Sequence, residues 1–322
     1  MIALGIESSS LRGMGHLFRS LLYVKYMQKH SIEYIYLINN DKKSIAILKR
    51  NAIKFIVVDY DDKQTRWEHK IIDKYNVNIW LNDKFETSEE MALHIKEKNI
   101  YLALIDDIGD GEIHADINFV GLISFSKNNF RSKNIESGME YVVLSEDINL
   151  YKYIRKGLKK IIVSFGGSDP FNNTISVVKK LMNCNYLFDV TIGPNAKFEK
   201  ELEALNDGRF RIYKNVPSLI ELFSHYDLAI TGGGVTCCEA NAAGLPCIIV
   251  ANAPHEINTG KNMQKFGGAI YAGSYKGWDS SILDELNNLD IENMSKKGMD
   301  VFKTNAIDNI FSYIKNANGL YL

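Results

Sequence analysis

The feature that most constrains this chain is the alternation of short, unbroken apolar runs with stretches of helical spacing. In the first half the apolar runs are Ile2–Ile6, Tyr34–Ile38, Phe55–Val58, Ile79–Leu81 and Leu102–Ile105. Strands covered on both faces read as continuous apolar runs, because neither side of the pleat meets water. Between them stand helical stretches: Gly15–Tyr26, with Leu17, Leu21, Leu22 and Val24 inward, then Ser44–Arg50, Gln64–Tyr75 and Ser88–Lys98. Strands separated by helices predict a parallel sheet wrapped on both faces.

The second half repeats the pattern. Strands are expected at Lys160–Phe165, Leu187–Ile192, Phe210–Tyr213, Leu228–Ile230, Cys247–Val250 and Ala269–Tyr271, and helices at Asn173–Met182, Ile291–Phe302 and Ile307–Ile314. Between Asp106 and Ser145 the regularity weakens, with short strands expected at Ile117–Ile123 and Tyr141–Leu144, and a linker or connecting helix over Glu146–Lys160. A length of 322 residues suits two such units. The division expected is 1–148 and 149–322.

Ligands of open α/β sheets bind beyond the carboxyl ends of the strands. Three glycine-bearing strand-to-helix junctions lie at such ends: Gly13-Met14-Gly15-His16, Gly166-Gly167-Ser168-Asp169 and Gly232-Gly233-Gly234-Val235. Glycines there let backbone N–H groups approach a ligand, and a helix N-terminus adds partial positive charge, which suits a diphosphate. A tight turn that needs positive φ is the other reading. No Walker lysine follows any of the three loops, and Gly13-Met14-Gly15 lacks the third glycine of the dinucleotide fingerprint.

Particular side chains are candidates for chemistry. His16 opens a helix after a glycine turn, where an imidazole can take a proton from water or a sugar hydroxyl, or simply pack against the turn. Glu239, read as lying on the first turn behind the triple glycine, can accept two ribose hydroxyls or complement the helix end. Asp83, Asp106 and Asp107 end strands, as cleft-facing acceptors, metal ligands or turn caps. His255 and Asn258 follow a strand on a loop that can contact a ligand.

Other classes are disfavoured. A net charge of −1 argues against nucleic acid as a partner. Cys184, Cys237, Cys238 and Cys247 match no zinc spacing and read as reduced, packed thiols. No carboxylate or histidine spacing makes a metal site compelling, so neither metal nor cofactor is expected. Met1–Ile6 lacks the basic start and length of a signal segment, and no stretch has transmembrane length. A cytoplasmic protein is expected, one that could still touch a membrane through a surface patch.

Taken in order, these motifs resemble a known family. Gly13-Met14-Gly15-His16-Leu17-Phe18-Arg19 is similar to the N-terminal loop of the PseG/SpsG family, the UDP-sugar hydrolases of pseudaminic acid biosynthesis. Ile105-Asp106-Asp107 resembles its strand-end acidic pair, and Val163-Ser164-Phe165-Gly166-Gly167-Ser168-Asp169-Pro170 its interdomain loop. The segment from Gly232 to Glu239, with Ala243-Gly244-Leu245-Pro246, resembles a nucleotide-binding motif shared with GT-B glycosyltransferases.

The resemblance implies a GT-B fold: two Rossmann-like domains facing a cleft, with a C-terminal helix returning to the first. It implies a nucleotide sugar held mainly by the second domain, a UDP-sugar in the family, with His16 activating water at the anomeric carbon, Glu239 on the ribose, and a peripheral association with surface-glycan machinery. Gly233, Gly234 and Val235 map to the diphosphate cradle, supported by Gly13, Gly15, Gly166, Gly167 and Ser168; Arg19, Asp83, Asp106, Asp107, His255 and Asn258 fall to the sugar side. A glycosyltransferase or a non-catalytic nucleotide-sugar-binding partner would use the same scaffold. The chain departs from the family where Gly5 and Glu7 replace an arginine and an aspartate, and where Phe85 replaces a tyrosine. It also departs at Tyr141-Val142-Val143-Leu144-Ser145, which lacks a following arginine.

Overall fold

A computed structural model describes residues 1–9, 14–121, 129–166, 169–193, 196–214, 216 and 218–318. The chain divides into two compact units, Met1–Val143 with Asn305–Leu322, and Leu144–Thr304.

The first unit runs β1 (Ile2–Ile6), α1 (Gly15–Lys29), β2 (Tyr34–Ile38), α2 (Lys42–Arg50), β3 (Phe55–Val57), α3 (Trp67–Tyr75), β4 (Ile79–Asp83), α4 (Glu89–Glu97), β5 (Tyr101–Ile105), β6 (Ile117–Val120) and β7 (Ile135–Ser137). Its sheet is parallel, in the order β3-β2-β1-β4-β5-β6-β7. The order reverses between β1 and β4, which pair with Ile6 opposite Asp83. Every residue of these two strands is buried, as strands covered on both faces require.

The second unit runs β8 (Lys160–Ser164), α5 (Asn173–Leu181), β9 (Leu187–Ile192), α6 (Glu199–Leu205), β10 (Ile212–Lys214), α7 (Ile220–Phe223), β11 (Leu228–Thr231), α8 (Val235–Ala242), β12 (Cys247–Ala251), α9 (Pro254–Phe266), β13 (Ala269–Ser274), β14 (Gly277–Trp278) and α10 (Ile291–Val301). Its sheet has the order β10-β9-β8-β11-β12-β13-β14, parallel except for the β13–β14 hairpin. Here the order reverses between β8 and β11. A last helix, α11 (Ala306–Asn318), belongs to the first unit. Its Ile307, Ile310, Phe311 and Ile314 join the core formed by β1, β4 and α1, and Phe311 stacks on Tyr26 at 4.9 Å.

Some expectations need correction. Tyr141–Leu144 is not a strand: the edge strand is Ile135–Ser137, and Met139–Tyr141 forms a single 3₁₀ turn. Val142, Val143 and Leu144 are apolar because the connecting segment is itself buried. Residues 122–123 of the expected strand from Ile117 lie outside the described residues, and β6 ends at Val120. The helix expected from Gln64 starts at Trp67, because the Asp62 carboxylate accepts the N–H groups of Gln64 and Thr65 in a turn. In α1 the fully inward side chains are Leu17, Ser20, Tyr23, Val24 and Met27, with Leu21 and Leu22 only half-buried. Ser20 turns inward because its hydroxyl reaches both Leu17 O, at 2.7 Å, and the Tyr36 hydroxyl, at 2.5 Å.

Candidate functional site

In the first unit the helix following β1 carries His16, Arg19 and Tyr23 at spacings of three and four residues, which places them on one face. That face meets the carboxyl ends of β4 and β5. His16 Nδ1 lies 2.5 Å from Asp83 Oδ1. A carboxylate only accepts, so Nδ1 carries the proton and Nε2 is left as an acceptor. Arg19 forks onto the same carboxylate, from Nε to Oδ2 at 2.7 Å and from Nη2 to Oδ1 at 2.5 Å. Its third nitrogen, Nη1, donates to Asp106 Oδ2 at 2.5 Å. Asp106 holds a left-handed φ of 52° and accepts the Gly121 N–H at 2.8 Å through its other oxygen.

Asp83 is fully buried, and burial alone would raise its pKa; the Arg19 charge and the His16 hydrogen bond outweigh it and hold the carboxyl at about 2. The carboxylate therefore stays ionised across the working range. The stability it contributes is present above its ordinary value near pH 4 and is lost as pH falls through about 2. The Phe85 ring meets the His16 ring edge-on at 4.3 Å and remains 39% exposed. Imidazole, carboxylate and guanidinium thus form one ordered array, and no described group hydrogen-bonds the Nε2 atom.

Asp83→Asn retains the shape but removes the charge that orients and stabilises a protonated His16. Any turnover that uses Nε2 as a general base is expected to fall about 10–10³-fold. The check is kcat beside a thermal unfolding curve, because Arg19 would lose half of its counter-charge. An unchanged kcat in a folded variant would show that the pair does no chemistry.

Asp107, although adjacent to Asp106, turns away from this array. Its buried carboxylate accepts Thr87 N at 2.9 Å, Thr87 Oγ1 at 2.5 Å and Gly109 N at 2.8 Å, so it organises the turn after β5. Burial pushes it up to about 6 despite those bonds. Gly15 begins α1, with open space where a Cβ would stand. Gly13 lies outside the described residues.

In the second unit the turns after β8, β11 and β12 are neighbours. Gly166 holds a left-handed φ of 78°, and Gly167 and Ser168 lie outside the described residues. Gly234 caps α8, and Val235 at its first position is 54% exposed. Glu239 lies in the second turn of α8, not the first, because the helix begins only at Val235. It is half-buried, and no described group hydrogen-bonds its carboxylate. Burial, with no compensating donor, pushes it up to about 7. His255 and Asn258 are exposed on the first two turns of α9, where a loop was expected.

Sequence reasoning missed Glu256. Its Oε2 accepts the Gly233 N–H at 2.9 Å and the Asn252 N–H at 2.6 Å, tying the turn after β11 to the turn after β12. A Cβ on Gly233 would stand 2.6 Å from Glu256 O, so this glycine is required by packing against α9. The signal was present: Pro254 followed two residues later by a glutamate marks a helix start whose third residue reaches back to a free N–H. Asn252 continues the tie, accepting Asn173 Nδ2 at 2.6 Å and donating to Phe165 O at 3.0 Å. Among the described residues no cluster of three histidine, cysteine or acidic side chains could hold a metal ion, and no helix is long and apolar enough to cross a membrane.

No family model matches the chain. The uncharacterized protein MJ1062 of Methanocaldococcus jannaschii is 26% identical over 270 residues, which cover 77% of this chain but 55% of that protein. The chain therefore spans about half the length of that relative. The spore coat polysaccharide biosynthesis protein SpsG of Bacillus subtilis is 20% identical over 278 residues, covering 81% of this chain and 80% of SpsG. Among solved structures, Acinetobacter baumannii MurG superposes with a TM-score of 0.71 at 14% identity, covering 98% of this chain and 99% of MurG. Anabaena HepE in complex with UDP gives 0.68 at 13% identity, covering 98% and 100%. The UDP-GlcNAc 2-epimerase of Neisseria meningitidis, bound to UDP-GlcNAc, gives 0.66 at 14% identity, with 98% and 100% covered. With its two sheets, their strand order and these superpositions, the chain has the two-domain α/β GT-B fold.

Proposed function

We propose that this protein is an enzyme that hydrolyses a nucleotide sugar, with UDP as the nucleotide, in the making of a surface polysaccharide or nonulosonic acid. The observation that carries the proposal is the His16–Asp83 pair, which leaves Nε2 as a base at the carboxyl edge of the first sheet. In this reading water attacks the anomeric carbon and passes its proton to Nε2. The bond from that carbon to the diphosphate oxygen breaks, its electron pair leaves with UDP, and the configuration inverts. The second unit holds the nucleotide through N–H groups at the start of α8, with Glu239 accepting the ribose hydroxyls. The relation to SpsG and the UDP-bound structures of like fold support the substrate class.

A glycosyltransferase is the second reading, because the same base would deprotonate a sugar hydroxyl. The exposed Phe85 ring against His16 favours it, since an apolar wall suits an organic acceptor better than water. Incubation of UDP-sugars with enzyme alone separates the two. Hydrolysis releases free sugar and UDP in equal amounts without any acceptor, whereas a transferase stays nearly silent until one is added.

The role given to Glu239 has a pH signature. Two hydroxyl donors favour its ionised form, so binding displaces the proton that burial retains up to about pH 7. UDP affinity is expected to fall about 10–30-fold between pH 8 and pH 5.5 in the wild type, beyond any fall in Glu239→Gln. Calorimetric titration of both proteins reads the difference. Parallel curves would attribute the fall to the phosphate and remove Glu239 from the ribose.

A further inference from the structure

Glu256 places a negative charge where the proposed function places a negative ligand. Its carboxylate already occupies the Gly233 N–H, 2.9 Å away, and its other oxygen would stand 3.6 Å from a Cβ on Gly234, the residue that caps α8. No lysine, arginine or histidine among the described residues pairs with it. Its two hydrogen bonds come from backbone N–H groups, which orient the charge without neutralising it. Gly234, Val235 and Thr236 carry N–H groups with no partner among the described residues, beside this carboxylate.

We propose that Glu256 is a positioning residue that sets product release. It fixes the glycine turn, and it repels the extra charge that appears when a nucleoside diphosphate is freed from its sugar. The inference rests on the nucleotide reading above. A sugar-capped diphosphate has no terminal ionisation, whereas free UDP gains one with a pKa near 6, so near neutral pH the product carries about one more negative charge than the substrate. A carboxylate close to the diphosphate therefore weakens the product more than the substrate, through Coulomb repulsion in a partly desolvated turn. A residue that merely stapled two turns would have no such preference.

The experiment is calorimetric titration of UDP and of uridine into wild type, Glu256→Gln and Glu256→Asp, with thermal unfolding of each. Glu256→Gln keeps the length and an acceptor oxygen but loses the charge. It is expected to bind UDP roughly 3–10-fold more tightly than the wild type, with uridine unchanged. Glu256→Asp, which keeps the charge, should show no gain. If Gln disturbs the fold, Glu256→Met repeats the measurement with a neutral side chain of similar length. Equal or weaker UDP binding in a folded neutral variant overturns the inference and leaves the nucleotide reading standing. No UDP binding by any of the proteins, wild type included, overturns both.

Discussion

Replacement of His16 by Asn lowers turnover of the nucleotide sugar by about 10²–10⁴-fold, while UDP affinity stays within about twofold of the wild type. The size follows from the role: a positioned general base acts on the proton of the attacking nucleophile and contributes to the chemical step alone. The separation between turnover and binding follows from placement, because His16 belongs to the first unit and the nucleotide is assigned to the second. Asn retains a polar side chain of similar reach, so the Asp83 carboxylate keeps a donor and the array with Arg19 survives. Steady-state kinetics beside UDP titration read both quantities. A loss of affinity equal to the loss of turnover would mean that His16 holds substrate instead of activating its attacker.

Removal of Arg155 destabilises the second unit by about 3 kcal/mol, an effect on folding and not on chemistry. Arg155 is 1% exposed, and among the described residues no carboxylate hydrogen-bonds its guanidinium. It donates instead to backbone carbonyls: Tyr226 O at 3.3 Å, Tyr153 O at 2.9 Å, Phe223 O at 2.6 Å, and Ala243 O. Phe223 and Ala243 close α7 and α8, so the partial negative ends of two helices serve as the counter-charge. Burial still lowers the Arg155 pKa, which marks how fully the group depends on these partners. Lysine cannot replace the fork, so Arg155→Lys should lose most of the same stability. Urea unfolding measures the change, and a loss below about 1 kcal/mol in Arg155→Ala would show that the carbonyls find other donors.

How far the chain could be read in advance depends on the range of the interaction concerned. The strands were legible because burial on both faces leaves a local mark, an unbroken apolar run. The same mark misled at Val142-Val143-Leu144, where a buried connection and a buried strand look alike. His16 was legible from its own neighbours, a glycine turn opening a helix. Its partner Asp83 is far along the chain, and only the pairing of β1 with β4 brings them together. Asp106 and Asp107 cannot be separated by type or position. The left-handed turn at Asp106 sends one carboxylate to Arg19 and the other to Thr87.

Gly233 shows the same limit from the other side. Three glycines in a row read as room for a ligand, and at Gly233 the close neighbour is Glu256 of the chain itself. That contact arises because β11 and β12 are adjacent strands, which no local pattern reveals. The turn therefore presents fewer free N–H groups than its glycines suggest. Among the described residues the N–H of Gly234 has no partner, and no described group hydrogen-bonds the Glu239 carboxyl further along α8.

In the proposed reaction water, activated at His16, displaces a nucleoside diphosphate from an anomeric carbon. The most direct measurement is incubation of UDP-sugars with the enzyme in H₂¹⁸O without acceptor, followed by mass spectrometry and early-time NMR of the sugar released. Hydrolysis at the anomeric carbon puts one heavy oxygen on the sugar and none on UDP, with an inverted anomeric configuration in the first product. Heavy oxygen on UDP would place the attack at phosphorus. Release only on addition of a hydroxyl acceptor, with no label incorporated, would contradict hydrolysis and make the protein a transferase.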